Sequence, residues 1–580
     1  MKRPLFYVVL FFCWYSIIRA EIIPADESII HYTTVYFEEE FVTKAVHYRL
    51  EVQAGKQFDS ANKMLFTAEG SYPAFHMNGF MWNEEYSWRI TALNMKNGVL
   101  QPAVTHHFKI STFTRPAVYS ETQLQVHKNN NGLQADGFIA IDYLNGIYDR
   151  SGNPIWMIPP INGFVNPDTE IRDLKHTPEN TLTFMADNKP LEIDLHGNVL
   201  WSLPHPFILK GDTLTFHHEF QKKGDHYYVL ANKKAFRKIT TGYQPGKYNI
   251  IREVFPKEDG SYAKTHIAVI LELDKYGRVV YSWDASSYIK DEDLNFKRAQ
   301  DNFPFMEAHA NGLGIDSTEQ FLFLSFRDLS RIIKIDKTTS AVIASFGQKY
   351  PSGDAKMAVD LFRQQHDGRP TKHSTMLIFN NNGPRETAAT SAVIELDANN
   401  GDLLFKFDLD FDSLTRGRSG SGGNVNELPN KNILVCAGQL NRIFEVTRQK
   451  QIAWDAFTVG KPIGDSTFKS LSNYRCSWVK ELTGNNILLK IDHLKSTRKK
   501  ILSQFDVINI GPIADAFVVK IFGSDGAVIY EEKLGTIESG KIRRVDINIK
   551  PSAQPASGGY LLVQSLSNSS SVKKLSIKKN

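Results

Sequence analysis

An all-β fold is predicted by three features of the 580-residue chain: a hairpin signature that recurs six times, alternating apolar strands between Gly/Asn/Asp turns, and no helical heptad pattern. The clearest repeats are EIDLHGNVLWSL, LELDKYGRVVYSW, IKIDKTTSAVIASFG, IELDANNGDLLFKF and IFEVTRQKQIAWDA, preceded by IDYLNGIYDRSGNPIWM. In each, an apolar strand ends in Asp or an equivalent, a turn follows, and an alternating strand carries an aromatic residue, which is the pattern of a β-hairpin. The units lie roughly forty to eighty residues apart, as much chain as a blade of four short strands needs, with the largest excess between Lys233 and Ala268. A six-bladed β-propeller with insertions accounts for this spacing. Hydrophobic residues at 42% are enough for a large core.

The elements follow in chain order. Residues 1–20 have a basic start, an apolar run from Leu5 to Ile18, and a small Ala20 before Glu21, which predicts a secretory signal peptide. That run is short for a membrane span and no later segment reaches the needed length, so the expected location is periplasmic, cell-surface or secreted. Of the net charge of +5, three positive charges (Lys2, Arg3, Arg19) belong to the leader, and so small an imbalance gives no case for nucleic-acid binding. Cys13 leaves with the leader; Cys436 and Cys476 remain, either as one disulfide or as two buried thiols on neighbouring blades.

Residues 21–125 are expected to form an N-terminal β-sandwich, from the alternation in TTVYFEEEFV, HYRLEVQA, YSWRITALN and HHFKIST. The strands around Trp88 are similar to a fibronectin type III module, whose expected role is packing or homodimer contacts, with His76, His106 and His107 as ordinary structural residues. Residues 126–503 are the propeller, and SNYRCSWVKELTGNNILLKID reads as its closing strand pair. Residues 504–580 predict a small C-terminal β-sandwich: a hairpin with SDG at its turn (AFVVKIFGSDGAVIYEEKL), the strand IRRVDINIK, and a lysine-rich last strand. This tail resembles the sorting domain of the type IX secretion pathway, which implies secretion machinery as a partner; a plain accessory sandwich is the alternative.

Three histidines occupy one place in the repeat: His218 in FHHEF, His309 in EAHANG and His366 in RQQHDG, each about nine to twelve residues before a strand core (YYVLAN, FLFLSF, MLIFNN). The innermost strand of a blade faces the axis, so the repeat would bring all three to one spot, where they suggest chemistry on an anion or a metal. Across the six units the same position reads Arg172, His218, His309, His366, Gly423 and Ser477. A one-residue slip would turn His217 inward in place of His218; Glu219 matching Asp367 as the acidic follower favours His218. Lys234 holds in the His218 unit the place that Arg327 holds in the next. His176, His196, His205, His226 and His373 fall outside the recurring position and read as structural.

The block HAN followed by SFRDLSRIIKID resembles the bacterial arylsulfotransferases, the PAPS-independent aryl-sulfate sulfotransferases built on a six-bladed propeller. QQHD resembles the segment carrying that family's sulfated histidine and FHHEF its earlier histidine segment, so the likeness spans residues 140 to 490. The resemblance implies transfer of a sulfuryl group from a phenolic sulfate ester to a phenol, with no cofactor and with ping-pong kinetics. His366 stands where the sulfohistidine forms, and a neutral imidazole is a competent nucleophile near pH 7. Arg327 would hold the sulfuryl oxygens with its fork of donors. His309 would act as general acid and base, protonating the departing phenolate and later deprotonating the incoming phenol, and His218 would donate to the sulfuryl oxygens, although spacing does not decide which of the two moves the proton. Asn311 would orient the group; His217 and Lys234 complete the candidate substrate-binding set.

Two other classes compete. Three converging histidines could hold zinc for a lyase or hydrolase, although Arg327 would repel a cation. A non-catalytic ligand-binding propeller would use outer-loop aromatics such as Trp156 and Tyr243.

Overall fold

The computed structural model describes residues 22–580 except 60–63, 113–114, 241–253, 296–305, 384–389, 411–417, 481, 483–486, 498–499, 511–513, 524–526, 550–558, 567–571 and 577–580. The expected leader and Tyr243 lie outside the described residues. The fold is nearly all-β, with one short α-helix, Asp291–Asn295, among the described residues. None of the described helices is long and apolar enough to cross a membrane.

The chain divides into two compact units. The larger, His31–Thr33 with Thr112–Leu482, contains six sheets of four or more strands. Their local logic is visible in the turns. In five of the predicted hairpins Asp149, Asp194, Asp274, Asp336 and Asp397 each accept the backbone N–H two residues on, at 2.7–2.9 Å. These are Asx turns: the side chain replaces a backbone acceptor and bends the strand back on itself. A left-handed glycine completes several, as at Gly197 (φ 87°) and Gly277 (φ 77°), where a side chain would be strained.

One strand of each of the six sheets packs against its counterparts in the neighbouring sheets, and together they close a ring. Ile171–His176 packs against Asp212–Lys223, that strand against Ala310–Ile315, then His366–Pro370, Asn424–Glu427 and Cys476–Val479, which returns to Ile171–His176. Gly312 is required by this packing, since a Cβ there would stand 2.8 Å from the Asp367 Cα on the adjacent inner strand. The two ends of the unit are stitched by exchanged strands. Cys476–Val479 pairs with Phe138–Ile141 and completes the first sheet. Tyr119–Asn129 pairs with Ile452–Pro462 in the last.

The expected closing pair is therefore half right: CSWV closes the sheet, but Ile487–Thr497 pairs with Lys500–Asn509, whose other edge pairs with Ile542–Ile549. The alternation in ILLKID is equally good for either sheet, so sequence does not distinguish them. The smaller unit contains Met1–Ile30, Thr34–Ser111 and Thr483–Asn580. Its N-terminal part is a five-stranded sheet with a two-stranded one, and its C-terminal part is a three- and a four-stranded sheet sharing one core through Phe505, Val545, Phe517 and Val563.

Trp156 is not an outer-loop aromatic. It is buried in a core shared by the first two sheets, with Nε1 donating to the Leu195 carbonyl at 2.9 Å, because the strand Pro154–Met157 turns it inward. Cys436 and Cys476 are free thiols, buried side by side, and burial together with the contact to Cys436 pushes the Cys476 thiol well above its ordinary value.

Candidate active site

A shared backbone defect aims the recurring side chains. Strand register shifts between Arg172 and Lys175, Phe216 and Phe220, Ala310 and Gly312, and His366 and Gly368, so four inner strands carry a bulge at the same place. Three of these bulges hold a left-handed residue, Asp173 (φ 61°), His218 (φ 60°) and Asp367 (φ 66°), and left-handed His309 (φ 54°) stands just before the fourth. Such a conformation costs on the order of 1–3 kcal/mol in a non-glycine residue and persists where the surroundings impose it. A bulge re-aims a side chain that regular pleating would send into the blade.

The result is a cluster of imidazoles. The rings of His218 and His309 lie 5.3 Å apart, and Tyr474 stands edge-on to both His218 (5.6 Å) and His366 (6.2 Å). His217 joins through Nδ1, which is 2.6 Å from Nδ1 of His218, so one ring donates and the other accepts. Burial holds His218 and His366 well below the ordinary 6.5, and neighbours act in the same sense: His217 and His309 on His218, Arg327 and His309 on His366. Both rings are neutral at pH 7.

Around His366 the hydrogen bonds fix the tautomer. Asn381 Nδ2 donates to the carbonyls of Ser419 (2.9 Å) and Gly422 (3.1 Å), which leaves its Oδ1 facing His366 Nδ1 at 2.8 Å. Nδ1 must therefore carry the proton and Nε2 the lone pair. The Gly422 N–H caps that lone pair at 3.1 Å. Asn381 had no signal in the repeat, because it follows the strand Thr375–Asn380 and reaches His366 from the neighbouring strand. If Nε2 is the reactive atom, Asn381→Leu is expected to slow the first half-reaction about 10- to 100-fold, read as the rate of phenol release from an aryl sulfate.

His309 has a different partner. Its Nδ1 lies 3.3 Å from Asp328 Oδ2, while Arg327 Nη1 donates to Asp328 Oδ1 at 2.9 Å and Nη2 to the Gly420 carbonyl at 3.2 Å. One carboxylate thus holds the guanidinium by a hydrogen bond and lies beside the imidazole, and Arg327 reaches the same glycine-rich segment that caps His366. The backbone N–H of Arg327 also donates to the His309 carbonyl at 2.9 Å, which ties the two residues across the strand end.

A buried ion cluster locks the same strands. Arg475 Nη1 donates to Asp173 (2.8 Å) and Glu219, and its Nη2 donates to the Asn311 carbonyl at 2.7 Å. Arg369 Nη2 bridges both oxygens of Glu219 at 2.9 and 3.0 Å and its Nε pairs with Asp367. Burial would raise the Glu219 carboxyl, but Arg369, Arg475 and Lys175 hold it well below the usual carboxylate range. Glu219 and Asp367 share one arginine, which is the structural content of the acidic residue following His218 and His366.

The other candidates divide. Asn311 is fully buried and its Nδ2 donates to the Gln365 carbonyl at 2.8 Å, so it positions the chain at His366 rather than presenting its amide donor to a ligand. Lys234 is exposed on the strand His226–Lys238, opposite His266, and makes no contact with the cluster among the described residues. Its likeness to Arg327 failed because Arg327 sits just past the end of Phe321–Phe326, whereas the third sheet's strand runs on through Lys234. Ser477 is displaced as well, its hydroxyl donating to the Leu174 carbonyl at 2.8 Å; the residue that reaches the histidines there is Tyr474. The repeat count missed it by three positions. Among the described residues no three His, Cys, Asp or Glu side chains are arranged to hold a metal ion.

Neutral imidazoles, guanidinium donors and a phenol converging on the inner ends of propeller-like sheets make a place for an anion and for proton movement. Residues 246–459 match the family model described as Arylsulfotransferase (ASST), a span that contains His309, Arg327 and His366. The resemblance to the arylsulfotransferase family is borne out by this match, which supports aryl sulfotransfer in general. No curated protein matches the chain. Solved structures that align with it include a protein of unknown function from Bacteroides caccae (10% identity, 58% of this chain and 93% of that one, TM-score 0.33). The extracellular domain of a putative hybrid two-component system from B. thetaiotaomicron also aligns (11% identity, 85% and 60%, TM-score 0.30). A third is hydrazine synthase from Kuenenia stuttgartiensis (12% identity, 47% and 77%, TM-score 0.19).

Proposed function

We propose that the protein is an aryl-sulfate sulfotransferase that carries the sulfuryl group on His366 Nε2, without PAPS. The observation that carries this reading is the fixed tautomer of His366: a neutral buried imidazole whose Nδ1–H is committed to Asn381 has its Nε2 lone pair available to sulfur once the Gly422 cap gives way. In the first half-reaction the Nε2–S bond forms and the bond from sulfur to the aryl oxygen breaks. The departing phenolate takes a proton from His309, whose contact with Asp328 favours it over His218 as the acid. Arg327 neutralises charge on the sulfuryl oxygens. In the second, an incoming phenol gives its proton back to His309, its oxygen bonds to sulfur, and the N–S bond breaks.

The exchanged strands and the continuous ring of inner strands support a closed six-bladed propeller as the scaffold, with β-sandwich modules at both ends. The basic, apolar N-terminal residues support export, and the lysine-rich C-terminal strand supports sorting through secretion machinery.

The kinetic test is phenol release in the absence of acceptor. A burst of about one equivalent per enzyme, and parallel double-reciprocal lines when acceptor is varied, are expected for a covalent ping-pong route. Simultaneous binding of both phenols, seen as intersecting lines with no burst, contradicts it.

The depressed pKa of His366 sets a pH dependence. The burst rate should stay level as the pH falls through 6.5, where an ordinary imidazole would be half protonated. Stability moves the other way. Below about pH 6.5 the unfolded chain binds protons that native His218 and His366 refuse, so the unfolded state is favoured and the denaturation midpoint should fall.

A further inference from the structure

We infer that Tyr474 is a catalytic residue of the transfer proposed above, its hydroxyl donating a hydrogen bond to a sulfuryl oxygen; the inference rests on that reading of the site.

The backbone of Tyr474 is pinned from two directions. Its N–H donates to Asp142 Oδ1 at 3.2 Å, the next N–H, of Arg475, donates to Asp142 Oδ2 at 2.8 Å, and the Tyr474 carbonyl accepts from Gly423 N–H at 2.9 Å. The ring is held between His218 and His366, with the guanidinium of Arg172 at 5.6 Å and that of Arg475 at 5.3 Å from its centroid. So fixed a ring has little freedom to find a distant partner for its hydroxyl. Yet that hydroxyl is buried and has no hydrogen-bond partner among the described residues, while the side chain as a whole is 8% exposed. Buried polar groups are satisfied as a rule, and an exception at a cluster of titratable residues marks a place for a missing group.

Nε of Arg172 and Nε of Arg327 are two of the further buried donors that lack partners among the described residues, and Nε of Arg475 is another. Arg172 otherwise donates from Nη2 to Glu170 at 2.7 Å. A phenol and two guanidinium donors call for an acceptor-rich anion. A cation would be repelled by both arginines, and a phenol alone offers a single oxygen, whereas a sulfuryl group offers three. Burial raises the Tyr474 phenol, and although Arg475 and Arg172 pull it down, it remains well above its ordinary value, so the hydroxyl keeps its proton and acts as a donor. Tyr474 forms no bond and loses no proton in the proposed step. Its contribution is to the charge on the sulfuryl oxygens while the Nε2–S bond forms and the S–O bond breaks.

The test uses Tyr474→Phe in the full chain, with the phenol burst from an aryl sulfate as the readout. Expected is a burst roughly a hundredfold slower than in the wild type, of unchanged amplitude, with a thermal midpoint equal to or above the wild-type value because an unpaired buried hydroxyl has been removed. Inorganic sulfate should raise the midpoint of the wild type more than that of the variant. A wild-type burst rate in the variant overturns the inference and leaves the sulfohistidine reading standing. Slowing together with a lowered midpoint assigns Tyr474 to packing and overturns it too. Absence of a burst in the wild type itself removes the sulfohistidine reading, and the role of Tyr474 falls with it.

Discussion

His366→Ala is expected to lower aryl-sulfate turnover by at least about 10⁴-fold, a loss of the size seen when a covalent nucleophile is removed. The reason is specific to the site. Of the neutral imidazoles in the cluster, His366 has its protonated nitrogen assigned by a carboxamide that is itself held by two carbonyls, and no neighbouring group can take over an Nε2 placed in that way. His218, the nearest substitute in chemistry, has its Nδ1 committed to His217. The substitution also leaves Asn381 Oδ1 buried without its donor, which costs about 1–3 kcal/mol of stability. A second variant therefore belongs beside it: His366→Gln keeps a polar side chain of similar reach and should be folded and equally inactive. Recovery of activity in either variant with a normal burst would assign the nucleophile elsewhere, and His218 would be the next residue to replace.

The second large effect concerns proton transfer. His309→Asn is expected to slow the first half-reaction by about 10² to 10⁴-fold for sulfates of weakly acidic phenols and far less for nitrophenyl sulfates. A phenolate that is stable on its own needs no acid, so the dependence on leaving-group acidity should steepen in the variant. Burst rates across a series of substituted phenyl sulfates measure it. His218→Asn should give a more uniform loss across the same series, as expected for a donor to the sulfuryl oxygens. The reverse pattern, steepening for His218→Asn and uniform loss for His309→Asn, would exchange the two roles. Arg327→Lys should not restore function to Arg327→Ala, since an ammonium cannot bond Asp328 and the Gly420 carbonyl and still offer Nε.

Much of this site was legible in the chain because the repeat is written in turn chemistry. An aspartate at the end of the third strand in five of the six hairpins forms its Asx turn locally, so EIDLHG, LELDKYG and IELDANNG mark hairpins whatever packs around them. Counting back from the strand cores put His218, His309 and His366 at one place in the repeat, and in the structure His218 and His309 lie ring to ring while Tyr474 touches His218 and His366 beside Arg172. The count failed where strand length or strand exchange breaks the period. Lys234 belongs to a strand that runs past the place where its counterpart ends, and the inner strand of the first sheet comes from the far end of the unit, so Tyr474 takes the position expected of Ser477. Asn381 was out of reach for another reason. It acts across the strand pair and through the Ser419 and Gly422 carbonyls, contacts that link segments no local pattern connects. The bulges that aim the histidines are equally silent in sequence, because left-handed His218 and His309 carry none of the glycine that would announce them.

The central claim is that a sulfuryl group rests on His366. Incubating the protein with an aryl sulfate and no acceptor, then recording its intact mass and locating the modified residue by peptide mapping under non-acidic conditions, tests this most directly. The prediction is a gain of one sulfuryl group per chain, carried on His366 and lost when a phenol is added. An unchanged mass while phenol is released, or a stable modification on another residue, would contradict it.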